Sequence, residues 1–259
     1  ALLQLGEELA NMSGHSKWAS IKHKKGAADA KRGKIFTKII KEITIAAREG
    51  GGDEEANPTL RTAVLKAKSA NMPKDNIERA IKKGTGDLEG TSYQEMTYEA
   101  YGPGGVAILI NILTDNKNRT AAEIRNLLSK GNGNLGETGC VSYLFNRKGI
   151  IGYDSGNYSE DEIIDAALEA GAEDVTAEGE IIEVLTEPDD FSNVLENLQG
   201  KGFKEETAEV TMLPDSRIEL DEDTTRKALK LIEQLEDHDD VQSVATNIDI
   251  PDDFDFEGE

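Results

Sequence analysis

The stretch EDEIIDAALEAGAEDVTAEGEIIEVLT, residues 160–186, decides the fold class because its pattern changes from helix to strand. EDEIIDAALEAG has the spacing of an amphipathic helix, and EDVTAEGEIIEVLT alternates as two strands around a Glu-Gly turn. The segment CVSYLFNRKGIIGYD before it predicts a strand or hairpin. After it, DDFSNVLENLQGKG predicts a helix and EETAEVTML a strand. The order β-α-β-β-α-β over residues 141–213 is a complete ferredoxin-like pattern.

The segments on either side of this unit predict a second α/β domain that is split in two. TYEAYGPGGVAILINILT predicts two strands joined by a turn, and NRTAAEIRNLLSKG a helix. The missing helix and strand follow Pro214, as DEDTTRKALKLIEQLED and VQSVATNID. We therefore expect an α+β protein with an N-terminal helical domain and two ferredoxin-like α/β domains, the third inserted into the second. The second domain would comprise residues 91–140 and 214–250, and the third 141–213, with an acidic tail at 251–259.

Residues 12–90 predict a basic arm followed by a small helical domain, and residues 1–11 an extension before it. In KIFTKIIKEITIAAREG, Ile35 and Ile39 belong to an apolar helical face, with Ile45 among the charges. The opposite face is predicted to be a solvent-exposed basic stripe, formed by Lys34, Lys38, Lys41 and Arg48. Asn57-Pro58 and Pro73 are typical helix starts, and Gly84 a typical end.

The charge of the chain is strongly segregated. The whole sequence has a net charge of −22, but residues 12–90 contain 17 Lys and Arg against 10 Asp and Glu, a net +7. Residues 91–259 contain 12 against 39, a net −27. Polyanions are attracted to the first segment and repelled by the second, so a nucleic acid should meet one end of the protein.

The sequence predicts that this nucleic-acid contact lies in the arm and along the basic stripe. Lysine and arginine neutralise phosphates, and Trp18 either stacks on a base or anchors the arm to the helices. With few apolar residues, the arm is expected to order on binding. The predicted nucleic-acid-binding residues are Lys17, Trp18, Lys22, His23, Lys24, Lys25, Lys31, Arg32, Lys34, Lys38 and Lys41.

No neighbourhood in the sequence combines a nucleophile, a base and an orienting group, so we expect no enzymatic activity, no cofactor and no metal site. LEDHDDVQ, residues 235–242, has the residue types of a metal cluster but is interpreted as a structural turn or interaction loop. GNGNLG, residues 131–136, lacks the strand-to-helix context of a dinucleotide site and predicts a flexible turn. TDNKNRT, residues 114–120, predicts helix capping and a polar interaction patch. The single cysteine, Cys140, is interpreted as strand packing.

Several long blocks of the sequence together resemble the YebC/PmpR family. They are MSGHSKWASIKHKKGAADAKRGKIFTKIIKEI, NPTLRTAVLKAKSANMPKDNIERAIKKGTG, YEAYGPGG, TDNKNRTAAEIR, GNLGETGCVSYLF and LEDHDDVQSVATN. The resemblance implies three domains, no catalysis and a DNA-binding transcriptional regulator. The family includes the mitochondrial translational activator of cytochrome c oxidase subunit I, so the resemblance also implies a ribosome-associated factor as an alternative. The resemblance further supports the nucleic-acid role of the basic N-terminal block.

We therefore expect a nonenzymatic, cytoplasmic regulator of gene expression that binds DNA through its basic end. Two alternatives remain open: a translation factor that relieves stalling through ribosomal RNA, and a scaffold whose arm docks an acidic protein. The acidic α/β domains are expected to stay off the phosphates and to remain free for protein partners. No apolar run is long enough to cross a bilayer, so no membrane partner is expected.

Overall fold

The computed structural model describes residues 17–19, 29–251 and 254, and it shows three packed units. Over its described residues, the N-terminal unit has three long helices: α1 (Asp29–Gly50), α2 (Pro58–Ser69) and α3 (Lys74–Thr85). Residues 17–19 form one further helical turn. The Asn57 side chain accepts the backbone N–H of Leu60, and Pro58 occupies the first position of α2, as the sequence predicts. The apolar faces of the three helices bury one core that includes Ile39, Ile43 and Leu60.

The second unit is a four-stranded antiparallel sheet with two helices on one face. Its elements are β1 (Gln94–Tyr101), β2 (Ala107–Thr114), α4 (Lys117–Lys130), β3 (Asn134–Leu135), α7 (Glu222–Glu236) and β8 (Val241–Thr246). The strand order is β3-β1-β2-β8. Ile108, Ile110 and Ile112 of β2 pack beneath Ile124 of α4 and Ile232 of α7. The two-residue strand β3 was not predicted, because so short an edge strand has no alternating pattern.

The third unit is also a four-stranded antiparallel sheet, and all of its strands lie between the two segments of the second unit. Its elements are β4 (Phe145–Asp154), α5 (Glu160–Ala170), β5 (Asp174–Glu178), β6 (Ile181–Thr186), α6 (Phe191–Gly200) and β7 (Thr207–Pro214). The order β5-β6-β4-β7 has the first strand between the third and the fourth, the ferredoxin-like arrangement. The chain enters and leaves this unit at neighbouring points, since Phe145 is paired with Pro214 and the Asp215 N–H donates to the Leu144 carbonyl at 2.8 Å.

The N-terminal unit contacts both of the others. Lys41 of α1 reaches Asp240 of the second unit. On another side, Leu65 of α2 is part of the third unit's core, and the hydroxyls of Thr62 and Ser192 lie 3.0 Å apart. The second and third units also share a small apolar cluster, in which Leu109 and Ala245 meet Phe145, so each unit contacts the other two.

Several glycines serve close packing where the sequence suggested turns. Gly84 lies within α3 rather than at its end, and a side chain there would collide with the Thr44 carbonyl of α1. In GNGNLG, side chains at Gly131 and Gly133 would collide with Leu231 and with the Tyr101 carbonyl. The segment turns at residues 131–132, as predicted, but its glycines also allow the close approach of neighbouring elements. In the described residues, no helix has the length and apolar character to cross a membrane.

Candidate nucleic-acid interface

Helix α1 buries more of its polar face than the helical pattern predicts. Ile45, expected among the charges, is 6% exposed, whereas Ile35, expected in the core, is 48% exposed. The second unit packs against the side of α1 that bears Lys34, Lys38 and Lys41. A helical wheel detects the face that packs within its own domain, but it does not detect a partner domain distant in sequence.

The three lysines of the basic stripe bind the C-terminal end of α7 and the loop that follows it. Lys34 Nζ donates to the Asp237 carbonyl at 3.1 Å, and Lys38 Nζ donates to the Glu236 carbonyl. The last carbonyls of a helix lack intrahelical partners and carry the negative end of its dipole, so they attract ammonium groups. The stripe is therefore an interdomain contact in this structure.

Lys41 is buried, which corrects its predicted place on the exposed stripe. Its ammonium donates to Asp240 Oδ1 at 3.0 Å, and to the carbonyls of Asp239 at 2.9 Å and Leu113 at 3.3 Å. These acceptors compensate for the water that the ammonium loses on burial. A phosphate has no access to Lys41 in this arrangement.

Asp240 is the centre of a polar network beneath α1. Its Oδ2 accepts from Arg119 at 2.7 Å and from the Thr120 hydroxyl at 2.9 Å. Burial alone would raise the pKa of Asp240, but the hydrogen bonds from Arg119, Lys41 and Thr120 outweigh it and lower the pKa to about 2. The carboxylate therefore stays ionised and ties α1 to the start of α4.

The segment LEDHDDVQ is structural in this arrangement, although Glu123, His238 and Asp240 bring potential ligand atoms within 4.8 Å of one another. His238 Nδ1 accepts the Asp240 N–H at 3.1 Å, which places the ring proton on Nε2, 2.7 Å from Glu123. Asp240 is occupied by Arg119 and Thr120. Each potential metal ligand thus already has a hydrogen-bond partner within the protein.

Trp18 is buried against the second unit, which in this conformation favours the predicted anchoring role over stacking on a base. The residue is 6% exposed and belongs to the core formed by α7 and the neighbouring sheet. Its indole N–H donates to Glu236 at 3.2 Å, and Lys17 Nζ lies 3.5 Å from the Ile250 carbonyl. The ring is an anchor for the start of the arm, although it anchors to the second unit rather than to the N-terminal helices.

Six of the predicted arm residues have side chains outside the part of the chain that the structure describes. Lys22, His23, Lys24 and Lys25 lie outside the described residues. Lys31 and Arg32 lie in the backbone of α1, but their side chains are outside the described part. The nucleic-acid role of these six residues stays a prediction.

Helix α3 provides exposed cations that were not singled out in the sequence. Arg79, Lys82 and Lys83 are exposed, and the described part of the chain supplies no ion-pair partner for them. Lys82 and Lys83 lie three and four residues after Arg79, which places all three on one side of the helix. The run IERAIKKG carries this signal, but the longer basic arm before it obscured it. These three residues give the N-terminal unit an accessible positive surface. Lys34 is exposed as well, although its ammonium donates to the Asp237 carbonyl.

Two family models match consecutive parts of the chain. One, described as the TACO1/YebC protein N-terminal domain, matches residues 16–87, and the other, described as the TACO1/YebC second and third domain, matches residues 93–248. A "Probable transcriptional regulatory protein" of Treponema denticola is 64% identical over 245 residues, covering 95% of this chain and 99% of that one. One of the same name from Trichlorobacter lovleyi is 60% identical, covering 92% and 96%. A crystal structure of a conserved hypothetical protein from Aquifex aeolicus has a TM-score of 0.78 at 50% identity, covering 87% and 93%.

Proposed function

Because the chain belongs to the TACO1/YebC family, we propose that it is a nonenzymatic, cytoplasmic regulator of gene expression that binds DNA. The observation that carries the proposal is the accessible positive surface of the N-terminal unit in a chain of net charge −22. Duplex DNA releases condensed counterions when lysine and arginine neutralise its phosphates, which favours binding at this end. The names of the relatives, probable transcriptional regulatory proteins, support a regulator.

The hydrogen bonding of the two buried carboxylates Asp240 and Glu99 supports a nonenzymatic role. Asp240 is hydrogen-bonded on both oxygens, as described above. Buried Glu99 accepts the N–H groups of Gly139, Val141 and Ser142. Burial would raise the pKa of Glu99, but these hydrogen bonds lower it. Such carboxylates are poor general bases, because their lone pairs and charge are already compensated.

A ribosome-associated translation factor is the second candidate. The exposed cations Arg79, Lys82 and Lys83 bind phosphates without reading bases, so ribosomal RNA satisfies them as well as DNA does. The same surface therefore serves both functions, and the choice between them requires a competition experiment.

The experiment is cosedimentation of the full chain with ribosomes at fixed salt, with and without excess duplex DNA. If DNA removes the protein from the ribosomes and the protein then discriminates among promoter fragments, the result favours a transcriptional regulator. Retention on ribosomes against the DNA would instead favour the translation factor. Binding to neither would refute the proposal, and an acidic protein partner for the arm would then be the better explanation.

A triple variant locates the binding surface. Arg79→Gln, Lys82→Gln and Lys83→Gln together are expected to weaken binding about tenfold or more and to reduce its salt dependence. The matched control, Lys201→Gln, Lys204→Gln and Lys227→Gln, changes the net charge by the same amount on the α/β domains. Equal losses in the two variants would show that net charge, and not this surface, governs binding.

A further inference from the structure

Helix α4 is an exception among the helices of the acidic part of the chain. Its sequence KNRTAAEIRNLLSK carries four cations and one carboxylate, a net +3. By the same count α5 has a net charge of −5, and α6 and α7 each have −1. Residues 91–259 together have a net charge of −27. A cationic helix is therefore displayed on a domain that otherwise repels polyanions.

The polar groups on the inner flank of α4 bind other parts of the protein, whereas those on its outward face are exposed to solvent. The inner flank carries Arg119, bound to Asp240, and Glu123, bound to His238. Glu123 is the only carboxylate in the helix, so its contact with His238 holds the acidic group on the inner flank. The outward face is thereby left without an acidic residue.

The outward face of α4 has the composition of a surface that reads DNA. Asn118, Ala122, Arg125 and Ser129 lie within an arc of about 60° on a helical projection. All four are exposed, as is Asn126 beside them. Arginine and asparagine pair with the base edges of guanine and adenine in the major groove, and small residues let the helix approach closely. Lys117 and Lys130 flank this face, and the described residues offer neither them nor Arg125 an ion-pair partner.

The position of α4 connects it to the basic end of the protein. Arg119 and Glu123 line a cleft of about 870 Å³, whose other wall is formed by Gly33, Lys34 and Thr37 of α1. The beginning of α1, where the basic arm joins the helix, therefore lies beside α4. A basic segment beside a groove-binding helix is a common arrangement in DNA-binding proteins.

We propose that the outward face of α4, formed by Asn118, Ala122, Arg125, Asn126 and Ser129 with Lys117 and Lys130 at its edges, enters the major groove of duplex DNA. This inference rests on the proposed nucleic-acid-binding function and extends it to the second domain. The major groove of B-form DNA, about 12 Å wide, admits a helix. The deep, narrow major groove of duplex RNA does not.

The test measures the salt dependence of binding to a mixed-sequence DNA duplex by fluorescence anisotropy. The triple variant Lys117→Gln, Arg125→Gln, Lys130→Gln is expected to bind about tenfold more weakly. The slope of log K against log salt should fall by up to about 1.8, since the two lysines at the edges each contact a phosphate that contributes about 0.9. The control triple at Lys201, Lys204 and Lys227 is expected to keep the slope of the unmodified protein.

A second variant tests the face without removing any cation. Ala122→Glu places a carboxylate at the centre of the face on an exposed helical position, so the fold is expected to persist, as circular dichroism would show. It should weaken DNA binding at least about tenfold, since carboxylate and phosphate repel. Leu168→Glu, on the exposed side of acidic α5, is the charge-matched control and should leave binding unchanged.

The outcomes separate this inference from the proposed function. DNA binding that is lost in the α3 triple variant but unchanged in both α4 variants would refute the role of α4 and retain the function. Equal losses on an RNA duplex and a DNA duplex would refute groove entry. If the unmodified chain binds no nucleic acid, the inference and the proposed function both fail.

Discussion

Replacing Asp240 with asparagine is expected to loosen the contact between the N-terminal unit and the second unit. The substitution keeps the size of the side chain but removes the charge on which Lys41, Arg119 and Thr120 converge. The pKa of Asp240 falls from 3.8 to about 2 in the folded protein. At 1.36 kcal/mol per pKa unit, this difference corresponds to a contribution to folding of about 2 kcal/mol. This figure already includes the contact with the buried Lys41, so we expect a total cost of about 2 kcal/mol.

The pH dependence gives the prediction a second, independent readout. A carboxylate whose pKa is lowered by folding stabilises the protein fully above its unfolded pKa, and the contribution is lost as the pH falls through the folded pKa. The difference in stability between the unmodified protein and Asp240→Asn should therefore be constant at neutral pH. It should narrow as the pH falls from about 4 to about 2.

Urea unfolding followed by circular dichroism and by Trp18 fluorescence measures both effects. The exposed neighbour Asp239→Asn is the control, expected to change stability by less than about 0.5 kcal/mol. The double variant Lys41→Met, Asp240→Asn isolates the coupling of the pair and should cost less than the sum of the two single changes. Equal stability of Asp240→Asn and the unmodified protein at pH 7 would refute the reasoning, as would an equally large effect of Asp239→Asn.

Two further substitutions and one spectroscopic measurement test other parts of the structure. Gly84→Ala should destabilise by about 1–3 kcal/mol in urea unfolding despite its better helix propensity, because the added methyl group meets the Thr44 carbonyl; a stabilised variant would contradict this packing. Glu99→Gln should cost about 1–3 kcal/mol, since it removes the charge that three backbone N–H groups share, and a neutral outcome in thermal unfolding would count against that role. Trp18 is the only tryptophan, so the folded protein should show blue-shifted emission resistant to iodide quenching, whereas strong quenching would show that the ring is exposed.

The features that the sequence predicted well are those determined by residues near one another in the chain. The helix start at Asn57-Pro58 and the β-α-β-β-α-β order are local patterns of caps and periodicity. The insertion was predictable because each half of the second domain is incomplete alone. These patterns depend on neighbouring residues and not on the packing of domains.

The features that the sequence missed depend on contacts between distant segments. Lys41 and Asp240 are 199 residues apart, and nothing near Lys41 indicates that a second domain covers it. The burial of Trp18 against α7 has the same origin, because an isolated aromatic residue in a basic arm carries no information about its partner. Lys34 and Lys38 were likewise recognised as a stripe, but their acceptors are backbone carbonyls, which no residue type reveals.

The adjacent ends of the third unit have a consequence for the folding of the second unit. Because Phe145 pairs with Pro214, the polypeptide leaves the second sheet and returns to it at almost the same place. For the second unit, the inserted domain takes the place of a loop whose two ends lie next to each other. The entropy cost of closing a loop rises only slowly with the number of residues in it. A whole domain at this junction therefore costs the second unit little more closure entropy than a surface loop would.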